Sequence, residues 1–112
     1  MTVAFAEEAV RLRDTGGLST DLIARATGAA PTTVRDWLHH RSSPTGTRAE
    51  RISELSAITD RLQRLVGADY IPVWLTKPVE ALDEEKPIDL IARGDYHRVA
   101  RLISSIEDPG AV

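Results

Sequence analysis

Residues 18–44 read LSTDLIARATGAAPTTVRDWLHHRSSP, from Leu18 to Pro44. This stretch spells two short helices joined by a tight turn. Ser19 is a good N-cap, because its hydroxyl can accept from an orphan amide of the next turn. Leu22, Ile23 and Ala26 supply an apolar stripe at helical spacing. Gly28 stops the first helix by taking a left-handed backbone conformation. Pro31 suits the first turn of the second helix. Val34, Trp37 and Leu38 stand at i, i+3 and i+4 and so face the core. Ser42 to Gly46 is a loop. The second helix is presented outward, and what precedes the pair reads as support.

On the N-terminal side, Val3 to Arg13 is a helix candidate ended by Gly16-Gly17. Ala6, Val10 and Arg13 share one face, with Val3, Phe5, Ala9 and Leu12 nearby. On the other side, Thr47 is placed to cap a long helix from about Arg48 to Val66. Ile52, Leu55, Ile58 (or Thr59), Leu62 and Leu65 form its apolar seam. Packing against the preceding helices is one use of that seam, and a coiled-coil homodimer is the other.

The pattern restarts after Gly67-Ala68. Asp69 to Thr76 is a short helix with Pro72 early, where a missing amide costs little, and with Trp74 as its core anchor. Pro78 begins a turn ending near Leu82, and Asp83 to Lys86 is a solvated loop. Pro87 opens a helix of one to two turns closed by Gly94. Asp95 caps the last helix, whose stripe is Val99, Leu102, Ile103 and Ile106. Pro109 and Gly110 keep the tail non-helical. No alternating run suggests a strand. The expected fold is all-α, with a helix–turn–helix module at 1–67 and a smaller helical domain at 68–112.

Composition bounds the function. The chain has no cysteine, which excludes disulfides and thiolate metal sites. No run reaches the roughly 18 apolar residues of a membrane helix. Met1 to Ala9 lacks a basic region and carries Glu7 and Glu8, so no signal peptide is expected and the chain reads as cytoplasmic. The net charge of −3 is unevenly spread. Residues 1–67 hold nine arginines against eight acids, whereas residues 68–112 hold five basic residues against nine acids. An acidic half disfavours nucleic acid and favours a protein partner or plain solubility.

Two constellations remain. A DNA-binding helix–turn–helix needs a small residue at the helix crossing, a turn glycine and two apolar locks on the second helix. Ala24, Gly28, Val34 and Trp37 occupy those places, and Pro44 follows the aromatic. Over residues 4–66 the chain resembles the Xre/phage-repressor type of helix–turn–helix. The resemblance implies operator DNA as a partner. Thr32, Thr33 and Asp36 would face base edges, Arg35, Arg41 and Arg48 would meet phosphates, and Thr20 would add a hydroxyl. The outward face is a poor base reader: Pro31 donates nothing, and Asp36 repels phosphate while accepting from a cytosine amino group.

The second constellation is Trp74, Leu75, Pro78, Leu82, Pro87, Ile88, Asp89, Leu90 and Gly94, followed by an amphipathic helix. Over residues 69–112 this resembles the toxin-binding domain of the Xre/MbcA/ParS-like antitoxins. Many members carry glycine where this chain has Asp83-Glu84-Glu85. The resemblance implies a type II antitoxin whose partner is a RES-domain toxin that consumes NAD. It also implies that the C-terminal end sits at the toxin's active-site entrance. Here that end is Glu107, Asp108, Pro109, Gly110, Ala111 and Val112, with Tyr96, His97, Arg98 and Arg101 of the last helix as secondary contacts. A stand-alone repressor whose C-terminal half only dimerises is the alternative.

Enzyme chemistry finds no support. Asp36, His39 and His40 share a helical face but lack a further metal ligand. There is no nucleophile beside a base and no glycine-rich phosphate loop. No catalytic residue, metal or cofactor is expected.

Overall fold

A computed structural model describes residues 3–110. Its α-helices are α1 (Val3–Asp14), α2 (Thr20–Thr27), α3 (Pro31–Leu38), α4 (Gly46–Leu62), α5 (Ile71–Thr76), α6 (Pro87–Ala92) and α7 (Tyr96–Glu107). Short 3-10 turns at Ala68–Tyr70 and Glu80–Leu82 connect the later helices. Among the described residues there is no strand, only an isolated bridge between Val79 and Glu85. None of these helices is long and apolar enough to cross a membrane.

The stretch 18–44 folds as its punctuation dictates. Ser19 Oγ accepts from the Leu22 amide at 3.1 Å and starts α2. Gly28, at φ 76°, ends α2 with its own amide bonded to the Ala24 carbonyl. A β-carbon is disfavoured at that φ, so glycine is the natural residue there. Pro31 opens α3, and Val34, Trp37 and Leu38 are buried. Gly16 serves a different need. A β-carbon on it would lie 2.8 Å from both the Leu12 carbonyl and the Thr59 methyl, so α1 can approach α4 closely only with glycine there.

The spine is α4, which packs against α1, α2, α6 and α7. Ile52, Leu55, Ile58 and Leu62 are fully buried along it. The seam therefore faces this chain's own core and leaves no stripe for a coiled-coil partner. The apolar cluster runs without a break from Ala9 and Leu12 of α1 through α2–α4 to Ile71, Leu75, Ile88, Leu90, Val99 and Ile103. Beside it, Arg11 ties α1 to α4 by donating to Asp60 at 2.6 Å and to Glu8 at 2.9 Å, with Ser56 bridging the group.

Several local expectations are corrected. The N-cap of α4 is Thr45 rather than Thr47, and the helix gives way after Leu62 to looser i→i+3 bonds at Arg64 and Leu65. On α1 the buried face is Ala6, Ala9 and Leu12, with Arg13 in solvent. Trp74 is only half-buried, and Ile71 and Leu75 anchor α5. Asp95 makes no side-chain cap bond. Ile106 is 45 % exposed, so the α7 stripe ends at Ile103.

Truncating the spine gives the sharpest stability test. Leu55→Ala should destabilise the fold by about 2–5 kcal/mol, since it leaves a cavity at a fully buried position of α4. A urea midpoint that does not move would refute the central place of α4.

Candidate functional site

Two faces carry the residues singled out from the sequence. The first lies on α2, α3 and the start of α4. Thr32, Arg35, Arg41 and Arg48 are exposed, while Thr20, Thr33 and Asp36 are half-buried. Arg41 Nε donates to Asp36 Oδ1 at 3.0 Å. The carboxylate that would repel phosphate is thus paired, and part of the Arg41 charge is taken up. Among the described residues, no ion pair engages Arg35 or Arg48. Arg51 is turned inward and bonded to Glu54 at 2.9 Å, so it offers little to a phosphate. His39 and His40 are both exposed, and no group of three metal-ligating side chains forms among the described residues.

The second face runs along α7. Arg98, Arg101, Leu102 and Ser105 line a shallow cleft with Ala81 and Leu82 of the preceding turn. A neighbouring depression continues it past Ser104 to Glu107 and Asp108. Arg98, Arg101, Glu107 and Asp108 therefore come together on one surface. Tyr96 does not join them in the same way: it is half-buried against the core, edge-on to the exposed His97 ring at 5.3 Å. Asp108, Pro109 and Gly110 are exposed, while Ala111 and Val112 lie outside the described residues.

Arg98 is the hub of this face. It meets Asp83 at 3.1 Å, Asp95 at 3.6 Å and Glu85 at 3.8 Å. Arg93 forks onto Glu85 with contacts of 2.6 and 2.5 Å. These arginines hold a tight reversal in which Asp83 and Glu84 both take positive φ, 57° and 65°. Each such residue costs about 1–2 kcal/mol when it is not glycine. The reversal is closed by backbone bonds from the Val79 amide to the Glu85 carbonyl at 3.1 Å and from the Glu84 amide to the Val79 carbonyl at 2.9 Å.

Two arginines matter here that the linear sequence did not mark. Arg25 on α2 forks onto Asp89 on α6 at 2.9 and 3.0 Å. Arg61 on α4 donates to Glu107 at 2.5 and 3.2 Å and to Ser104 Oγ at 2.9 Å. Both pairs bridge residues 1–67 to residues 68–112. The one sequence signal was the polar i, i+3 pair Ser104 and Glu107 beside the α7 stripe, which does not name its partner.

No known family model matches the sequence. Comparison with characterised proteins and solved structures nonetheless finds toxin–antitoxin proteins by sequence and by fold alike, and the chain is an antitoxin homologue. Its relatives are the mycobacterial cidal antitoxin MbcA of Mycobacterium tuberculosis and of Mycobacterium bovis. Identity is 29 % over 92 residues, covering 82 % of this chain and 81 % of each relative. The fold matches a chain in the crystal structure of the M. tuberculosis MbcT–MbcA toxin–antitoxin complex. The TM-score is 0.76 at 29 % identity, over 99 % of this chain and 95 % of that one. The chain is therefore MbcA-like.

Acid titration should expose the ion pairs of the α7 face. The Arg93 hydrogen bond holds the Glu85 carboxyl below the usual glutamate range, and Arg61 does the same for Glu107. A depressed carboxylate stabilises the fold fully above its unfolded value and loses that contribution as pH falls through its folded value. Amides of residues 83–85 and 104–108 should thus keep their exchange protection down to about pH 4.3, the ordinary glutamate value, and lose it below. Loss of protection at neutral pH would contradict the assignment.

Proposed function

We propose that this chain is a type II antitoxin that neutralises a RES-domain, NAD-consuming toxin by direct binding and represses its own operon. The carrying observation is its likeness, over nearly its whole length, to a chain of a toxin–antitoxin complex. The RES-domain partner rests on the motif resemblance of residues 69–112, from Trp74-Leu75 to Gly94.

The chemistry supports a division of labour near residues 67 and 68. The acidic C-terminal half supplies the toxin-facing surface, with Arg98, Arg101 and the end of α7 at its centre. The tail that follows Glu107, from Asp108 through Pro109, Gly110, Ala111 and Val112, then occludes the toxin's active-site entrance. Carboxylates of such a tail compete for arginines meant for dinucleotide phosphate, because both present oxygens to the same guanidinium fork. Tyr96 and His97 contribute at the start of the helix. The N-terminal half supplies operator binding. Arg35, Arg41 and Arg48 contact phosphates, while Thr20, Thr32 and Thr33 add hydroxyls. Asp36, paired with Arg41, orders that face more than it reads bases. The pair would act in the cytoplasm, where both NAD and the operator are found.

Co-expression with the product of the adjacent reading frame tests the antitoxin role. A copurifying complex and relief of growth arrest are expected. A frame that is not toxic and yields no complex would leave a stand-alone repressor as the better reading. Removing residues 108–112 should abolish neutralisation while leaving the complex intact, and full neutralisation by the shortened chain would eliminate tail occlusion. Gel shifts on the upstream region should weaken with salt at a log–log slope of about −3 per chain, for three phosphate contacts. Absence of any shift at low salt, with and without toxin, would remove the DNA role.

A further inference from the structure

The last turn of α7 has an unusual hold on the body of the protein. Val99 and Ile103 are fully buried, but the next stripe position, Ile106, faces solvent. Apolar packing therefore stops one turn before the helix does. The final backbone bond runs from the Asp108 amide to the Ser104 carbonyl at 3.0 Å. A helix end without packing or a partner frays.

Arg61 supplies the missing hold from the last turn of α4. Its Nη2 reaches Glu107 Oε1 at 2.5 Å and Ser104 Oγ at 2.9 Å, and its Nε reaches Glu107 Oε2 at 3.2 Å. Ser104 and Glu107 are three apart, so one guanidinium grips both from one side of the helix. A fork on a carboxylate fixes direction as well as distance. The Arg61 side chain is 23 % exposed and that of Glu107 31 %, so water screens this pair less than a fully exposed one.

We infer that Arg61 is a positioning residue that fixes the root, and hence the exit direction, of the C-terminal tail, and that Glu107 serves this clamp rather than touching the toxin. The functional half of this statement rests on the occlusion reading above. A tail that leaves from a fixed root loses less freedom on entering a pocket than one leaving from a frayed turn.

The chain has no cysteine, so two can be introduced for spin labels. Ala57→Cys sits on the exposed side of α4, and Gly110→Cys sits beyond the clamp. Pulsed dipolar spectroscopy on the full chain should give one narrow distance distribution. Arg61→Gln should broaden it, and Glu107→Gln should do the same from the solvent side if the first variant folds poorly. The charge-swapped pair Arg61→Glu with Glu107→Arg should narrow it again. Equal distributions in the parent and in both single variants would overturn the positioning role. In growth rescue against the co-expressed toxin, the single variants should be roughly tenfold weaker and the swapped pair should recover. A swapped pair that restores the narrow distribution but not neutralisation would show that the Glu107 carboxylate itself meets the toxin, overturning the second half. The occlusion reading fails separately, if the chain lacking residues 108–112 neutralises fully, whatever the distance measurement reports.

Discussion

Burial of one side of α4 is the constraint on which the rest of the structure depends. Ile52, Leu55, Ile58 and Leu62 are completely shielded, and α1, α2, α6 and α7 supply the shield. A chain of 112 residues with 4 % aromatic content must build its core from aliphatic side chains. Interlocking them around one long helix is an efficient way to remove such surface from water. The consequence is mechanical. The segment before α4 and the segment after α5 share one apolar cluster, so neither moves without disturbing the other.

Polar contacts then define what packing leaves open. Arg25 with Asp89 joins α2 to α6, and Arg61 with Glu107 joins α4 to the end of α7. Each is a forked arginine–carboxylate contact that sets an angle as well as a distance. Their contribution to global stability is small, as for solvent-exposed pairs in general. Their importance is positional. The Asp83–Glu84 reversal is set among such contacts too: both residues are left-handed without being glycine, and Arg98 pairs with Asp83 itself while Arg93 pairs with the following Glu85.

The likeness to MbcA gives these details a setting. The α7 surface combines a shallow cleft, two arginines and an exposed acidic end. The face of α3 differs: among the described residues Arg35 and Arg48 make no ion pair, while Arg41 is paired with Asp36.

The features legible in the sequence were those whose cause lies within a turn or two of the residue itself. Ser19 caps, Gly28 reverses and Pro31 starts because of their own backbone and side-chain chemistry, and the buried set Val34, Trp37 and Leu38 follows from helical spacing. Of the candidate partner-facing residues, Arg98 and Arg101 line one depression and Arg101, Glu107 and Asp108 the one beside it. Arg98 and Glu107 stand nine residues apart, about half a turn round the helix, so helix period alone does not bring them together. Tertiary structure decided the rest. A stripe says which side of a helix is apolar but not how far a neighbour covers it, so Ile106 and Trp74 ended more exposed than their spacing suggested. The pairs Arg25–Asp89 and Arg61–Glu107 span 64 and 46 residues. Charges that far apart carry no mutual signal along the chain, and only the packing of α2 on α6 and of α4 on α7 brings them within hydrogen-bonding reach.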